Sequence, residues 1–143
     1  MARIRAVIDT NVVFEGLTHR GGPAGAVVGA WMAELFQACV SQALAYEYED
    51  VLARKLAPER WARIRFVLDA LLYRAELVSS YYSWRPSSPD PGDEHVIDCA
   101  MNARAIIVTS NLRDFELARV ELQLPILSPV GFLTLLQAES HGS

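Results

Sequence analysis

Three carboxylates in this chain, Asp9, Glu47 and Asp93, have the type and setting that chemistry needs. Asp9 follows the apolar run Ala6-Val7-Ile8, and Thr109-Ser110-Asn111 follows Ile106-Ile107-Val108. If both runs are buried parallel strands, Asp9 and Thr109 lie on one edge of the sheet. Asp93 precedes a helix expected over Glu94 to Arg104. At 100° per residue it projects from the same side as Val96, Ile97, Ala100 and Arg104, so the apolar stripe carries it inward. Asp98 points to the opposite side, and Asp90 is a loop residue without such a constraint. Glu47 flanks the stripe Leu44, Tyr48, Val51 and Leu52, whereas Glu49 and Asp50 point away from it. Each acid has an ordinary alternative. Asp9 and Asp93 suit helix caps, and a Glu bordering an apolar stripe is commonplace. Asp50 has Arg54 four residues on, the spacing of a surface ion pair.

Converging acids repel, and burying several requires a cation. The set contains oxygen donors only, which selects a hard ion, Mg²⁺ or Mn²⁺, over Zn²⁺. His19, His95 and His141 have no ligand spacing, although His95 is close enough to Asp93 to contact a substrate. One or two hard ions can activate water and stabilise a leaving oxygen in phosphodiester cleavage.

The elements that must position these residues alternate. Strands are expected at Arg3 to Ile8, Ala38 to Val40, Leu77-Val78, Ala105 to Thr109 and Pro125 to Leu127. Asp9-Thr10-Asn11 favours turns and helix caps, with a short helix following through Leu17. Further helices are expected over Pro23 to about Gln37, Ser41 to about Lys55, Glu59 to Ala75, Glu94 to about Arg104 and Val130 to Gln137. Pro86, Pro89 and Pro91 make Tyr81 to Gly92 a loop, and Asn111 to Glu116 reads as a loop or a single turn. This order indicates an α/β fold, a three-layer α/β/α sandwich around a central parallel sheet. Residues 1–143 form one domain, with a disordered tail expected from about 138.

Composition bounds the function. Of the 143 residues, 52% are hydrophobic and 21% charged, which is globular. No apolar run reaches the roughly 18 residues of a membrane span. Too few apolar residues precede Asp9 for a signal peptide, so a cytoplasmic protein is expected. Cys39 and Cys99 sit in apolar segments and read as buried thiols. The net charge of −4 argues against a general nucleic-acid coat.

The ordered segments Val7-Ile8-Asp9-Thr10-Asn11, Glu47-Tyr48 with Val51-Leu52, Asp90-Pro91-Gly92-Asp93 with Val96 and Ala100, and Ile107 to Phe115 together resemble a PIN domain. Pro125 to Pro129 with Phe132-Leu133 is similar to that family's closing strand and helix. The resemblance spans essentially the whole chain and is closest to the VapC-like toxins of bacterial toxin–antitoxin systems. It implies that Asp9, Glu47 and Asp93 are the main metal ligands and catalytic acids, with Asn11 and Thr109 orienting ligands or water. RNA would be cleaved by in-line attack of metal-bound water. One position departs from the family: Asn111 stands where a fourth Asp is usual. Asn111 can coordinate through its carbonyl oxygen or hold a water, and Asp114 can supply the missing carboxylate. The alternative for Asp114 is a cap for the turn at Phe115 to Ala118.

The resemblance also implies an antitoxin partner and a homodimer. The apolar helix at Val27 to Phe36, with Trp61 and Trp84, loosely supports association. Arg54, Lys55, Arg60, Arg63 and Arg65 form the densest basic stretch. Part of it is a candidate for tracking an RNA backbone; otherwise it is a solvated face paired with Glu59 and Asp69. A haloacid-dehalogenase-type phosphohydrolase needs an acid where Asn11 stands and a lysine near the strand ends, yet Lys55, the only lysine, ends a helix. Gly21-Gly22-Pro23-Ala24-Gly25 is neither a dinucleotide fingerprint nor a P-loop. The remaining rival is a non-catalytic PIN-like module that binds RNA or protein.

Overall fold

The computed structural model describes residues 3–79 and 93–142. Asp90, Trp84 and the loop expected at residues 81–92 lie outside them. Five strands form one parallel sheet: β1 (Arg5–Ile8), β2 (Gln37–Ser41), β3 (Glu76–Val78), β4 (Ile106–Val108) and β5 (Ile126–Leu127). Their spatial order is β3-β2-β1-β4-β5. The helices are α1 (Thr10–Thr18), α2 (Pro23–Met32), α3 (Gln42–Lys55), α4 (Pro58–Tyr73), α5 (Asp93–Ala103), α6 (Glu116–Glu121) and α7 (Pro129–Gly142), with a 3₁₀ turn at Leu112–Phe115. This is the expected α/β/α sandwich around a parallel sheet.

The central strands β1 and β4 are in register Ala6 to Ile106, Val7 to Ile107 and Ile8 to Val108, so Asp9 and Thr109 leave the sheet side by side. Chain connections diverge here, β1 leading toward β2 on one side and β4 toward β5 on the other. Such a switch point opens a crevice at the strands' carboxyl ends. Helix α5 packs on β1, β2 and β4, and α1 packs against α2 and α3. Fully buried Trp31, Phe36, Tyr48, Phe115 and Phe132 fill the core. Edge-to-face contacts join Trp31 to Phe36 and Tyr48, and Phe36 to Phe132. The Trp31 indole donates to the Leu71 carbonyl at 2.8 Å, tying α2 to α4.

Helix α2 stops at Met32, short of the expected end at Gln37, because Glu34 takes φ 58°. The amide of Glu34 then donates to Trp31 and that of Leu35 to Ala30, the paired bonds of a Schellman ending. Gln37 is thereby released to open β2. Arg104 ends α5 in the same left-handed region, at φ 55°. Helix α6, where no helix was expected, follows the 3₁₀ turn. Helix α7 runs on to Gly142, through the segment expected to be a disordered tail.

Arg5 forms a two-pronged ion pair with Glu76, at 2.8 and 2.7 Å, and also donates to the Ala103 carbonyl. This joins β1 to β3 across β2. The hydrogen bond from Arg5 holds the Glu76 carboxyl below its ordinary range. A carboxylate depressed on folding stabilises above its unfolded pKa, and that contribution is lost as pH falls through the folded pKa. The Glu76→Gln variant is therefore expected to lose about 0.5–1 kcal/mol at neutral pH. The difference should vanish in acid and shrink in high salt, which urea melts across pH will read.

Candidate active site

Asp9 occupies the N-cap position of α1, yet its side chain makes no capping bond. Its Oδ2 instead accepts a hydrogen bond from the Thr109 hydroxyl at 2.8 Å, and its amide donates to the Val108 carbonyl at 2.9 Å. The carboxylate is therefore held across the β1–β4 junction, only 4% exposed. Asp9 thus makes no side-chain cap and stands beside Thr109 at the sheet edge, where the strand ends were expected to bring it.

Glu47 lies in the second turn of α3. Ser41 starts that helix as expected, its hydroxyl accepting from the Leu44 amide at 3.1 Å. The Thr10 hydroxyl donates a short hydrogen bond to Glu47 Oε2. As Thr10 directly follows Asp9, this contact brings Glu47 to the Asp9 edge of the sheet. Glu47 is half-buried, while Glu49 and Asp50 are exposed, as the stripe predicts. Asp50 pairs with Arg54 at 3.2 Å.

The loop after β4 extends the network. The Thr109 hydroxyl accepts from the Asn111 amide at 3.0 Å. The Asn111 side-chain amide donates to Asp114 Oδ2, so Asp114 is tied to the position where the usual acid is replaced. Asp114 does not cap α6, whose N-cap residue is Phe115 and has no side-chain capping bond. Asn11 is exposed on the first turn of α1.

Asp93 opens α5 half-buried, on the helix that packs against β1, β2 and α3. Among the described residues, no group of three or more His, Cys, Asp and Glu side chains is close enough to hold a metal ion. The structure thus links Asp9, Glu47, Thr109, Asn111 and Asp114 through bonds or chain neighbours. It sets Asp93 at the head of a helix that borders them. The donor set remains all oxygen, which suits Mg²⁺ or Mn²⁺. When bound, such an ion supplies an activated water and neutralises charge on a phosphate.

Two residues hold the site in ways the sequence does not announce, and a third is an unexpected buried acid. Thr10 stands in the sequence only as a neighbour of Asp9, but its hydroxyl holds Glu47. Glu94, only 6% exposed, is a second buried carboxylate in the first turn of α5; a Glu there reads in sequence as a partner of the helix dipole. Tyr48 was assigned only to the apolar stripe. Its hydroxyl donates a short hydrogen bond to the Ile8 carbonyl. The available signal was chemical: a buried tyrosine must find an acceptor. Burial raises its pKa well above the ordinary value, with Cys99, Asp9 and Glu47 adding to the shift, so the phenol keeps its proton.

The basic stretch is engaged locally. Arg54 pairs with Asp50, Lys55 sits 5.2 Å above the Phe14 ring, and Arg60 donates to the Thr18 carbonyl at 3.1 Å. Arg65 lies 6.0 Å from the Trp61 ring, and Arg63 is exposed. Cys39 and Cys99 are free and buried, as expected. Burial pushes their thiols up to about 11 and about 12.

Comparison with known proteins bears on this geometry. The PIN domain family matches residues 5–113. Among solved structures, the fold is similar to VapBC-1 from nontypeable Haemophilus influenzae (TM-score 0.61, 14% identity, covering 89% of this chain and 99% of that one). It is also similar to VapBC2 from Rickettsia felis bound to a DNA fragment from its promoter (0.60, 11%, 87% and 98%). FitAcB from Neisseria gonorrhoeae gives 0.60, 16%, 87% and 97%. No curated protein matches in sequence. At these identities the structures establish the fold, and the family match establishes membership. This chain belongs to the PIN domain family, with a VapC-like fold.

Proposed function

We propose that this chain is a metal-dependent endoribonuclease that hydrolyses RNA phosphodiester bonds at a carboxylate-bound Mg²⁺ or Mn²⁺ site, as the toxin of a toxin–antitoxin pair. The observation that carries the reading is the buried Asp9 carboxylate, held by Thr109 at the switch point with Glu47 drawn to the same edge by Thr10. A cap or a surface acid needs neither contact. In this reading Asp9, Glu47 and Asp93 are the catalytic acids and bind the metal, with Asp114 as a fourth ligand. Thr109 fixes the Asp9 carboxylate, Asn111 orients Asp114, and Asn11 hydrogen-bonds water or substrate. Each replaces bulk hydration by a preorganised oxygen or donor. Arg63, with Arg54, Lys55 and Arg60 where their local contacts release, would meet the RNA backbone. The likeness to VapBC and FitAB proteins supports an antitoxin partner; a homodimer and a cytoplasmic setting belong to the same proposal.

The second reading, a non-catalytic PIN-like module that binds RNA or protein, draws on Asn111 and on the lack of a close three-acid group among the described residues. One experiment separates them. Purified protein incubated with single-stranded RNA is expected to cut it in Mn²⁺ or Mg²⁺ and to stop in excess EDTA. RNA left intact with every divalent ion tried would favour the binding module instead.

A further inference from the structure

We infer that Tyr48 is a positioning residue for the metal site, its hydroxyl on the Ile8 carbonyl setting Glu47 opposite Asp9. The inference rests on the nuclease reading and adds a residue to it. Its physical basis is rotation of α3. Neighbouring residues on a helix diverge by about 100°, so Glu47 can face the crevice only if Tyr48 points into the core. Tyr48 does so, fully buried with its ring edge-on to Trp31, the centroids 6.4 Å apart. Apolar packing of Leu44, Tyr48 and Leu52 holds α3 against its neighbours without a directional tie to the residues around Asp9. The hydroxyl supplies that tie, because its acceptor is the backbone carbonyl of the residue just before Asp9. Thr10, just after Asp9, then holds Glu47 itself. Both bonds from α3 thus grip residues adjoining Asp9, while Thr109 fixes Asp9 from β4. The spacing of the two acids follows from a closed set of bonds, and the Tyr48 oxygen is the member that sets the helix.

The test is Mn²⁺ affinity without RNA, measured by the paramagnetic resonance of free Mn²⁺. The Tyr48→Phe variant keeps the ring and deletes the oxygen. Its Mn²⁺ dissociation constant is expected to rise about tenfold, the range typical of groups that orient metal ligands. RNA cleavage should fall at limiting Mn²⁺ and recover when Mn²⁺ is raised. Leu68→Ala, a buried truncation on α4 away from the site, is expected to melt earlier yet bind Mn²⁺ as the wild type does. If Tyr48→Phe fails to fold, para-aminophenylalanine at position 48 restores a donor toward Ile8 and must bind Mn²⁺ like the wild type. Unchanged affinity in Tyr48→Phe, or equal weakening in Leu68→Ala, overturns the positioning role. So does an amino variant that folds but binds weakly. Wild-type protein that binds no Mn²⁺ removes the nuclease reading, and this inference with it.

Discussion

Asp9→Asn is expected to abolish divalent-dependent RNA cleavage while leaving the protein as stable as the wild type, or more so. A metal's stabilisation of the reaction is worth several kcal/mol, and each 1.36 kcal/mol is tenfold in rate. If Asp9 holds the metal, as proposed, losing it should therefore cost about a thousandfold or more in kcat. Stability moves the other way because Asp9 is buried and does not cap α1. Removing its charge relieves a desolvation cost, and the Thr109 hydroxyl can still donate to the Asn side-chain oxygen. Single-turnover cleavage and a thermal melt on the same preparation check both halves. A large fall in melting temperature with cleavage intact would make Asp9 a structural residue. Asp93→Asn asks the harder question, since the structure sets Asp93 only at the head of α5. If Asp93 shares the site, cleavage falls by a comparable factor with stability held.

Two glycines on one helix should give opposite stability changes. A Cβ at Gly25 would lie 2.1 Å from the Arg20 carbonyl oxygen and 2.5 Å from its carbon. Backbone cannot swing aside as a side chain can, so Gly25→Ala must displace the turn before α2 or α2 itself. Overpacking of this kind costs on the order of 3 kcal/mol, which is roughly 10 °C in melting temperature for a domain of this size. At Gly29, four residues on, nothing lies within 4 Å of the added carbon. Gly29→Ala should gain up to about 1 kcal/mol from helix propensity. Chemical denaturation of the two variants in parallel reads the sign directly. A neutral Gly25→Ala would mean that the Arg20 turn is loose, contrary to the close approach seen here.

Much of the fold was legible because apolar periodicity and burial are the same constraint seen at two levels. Ala6-Val7-Ile8 and Ile106-Ile107-Val108 read as inner strands, and Ser41 announced α3. Helix ends were less legible. Glu34 and Arg104 close α2 and α5 at positive φ, a place where sequence reading looks for glycine. Nothing local marks a glutamate or an arginine for that conformation. It follows from where the next strand must begin.

The sequence by itself turned Asp9 and Glu47 inward, because strand ends and helix stripes are local facts, although it passed over the buried Glu94. It therefore picked out Asp9 and Glu47, and set Asn111 apart. Tertiary structure alone decided what those side chains meet. Thr109 reaches Asp9 across 100 residues, Thr10 reaches Glu47 across 37, and Tyr48 reaches Ile8 across 40. Partnerships at that separation depend on strand order and helix rotation, which arise only when the layers pack together.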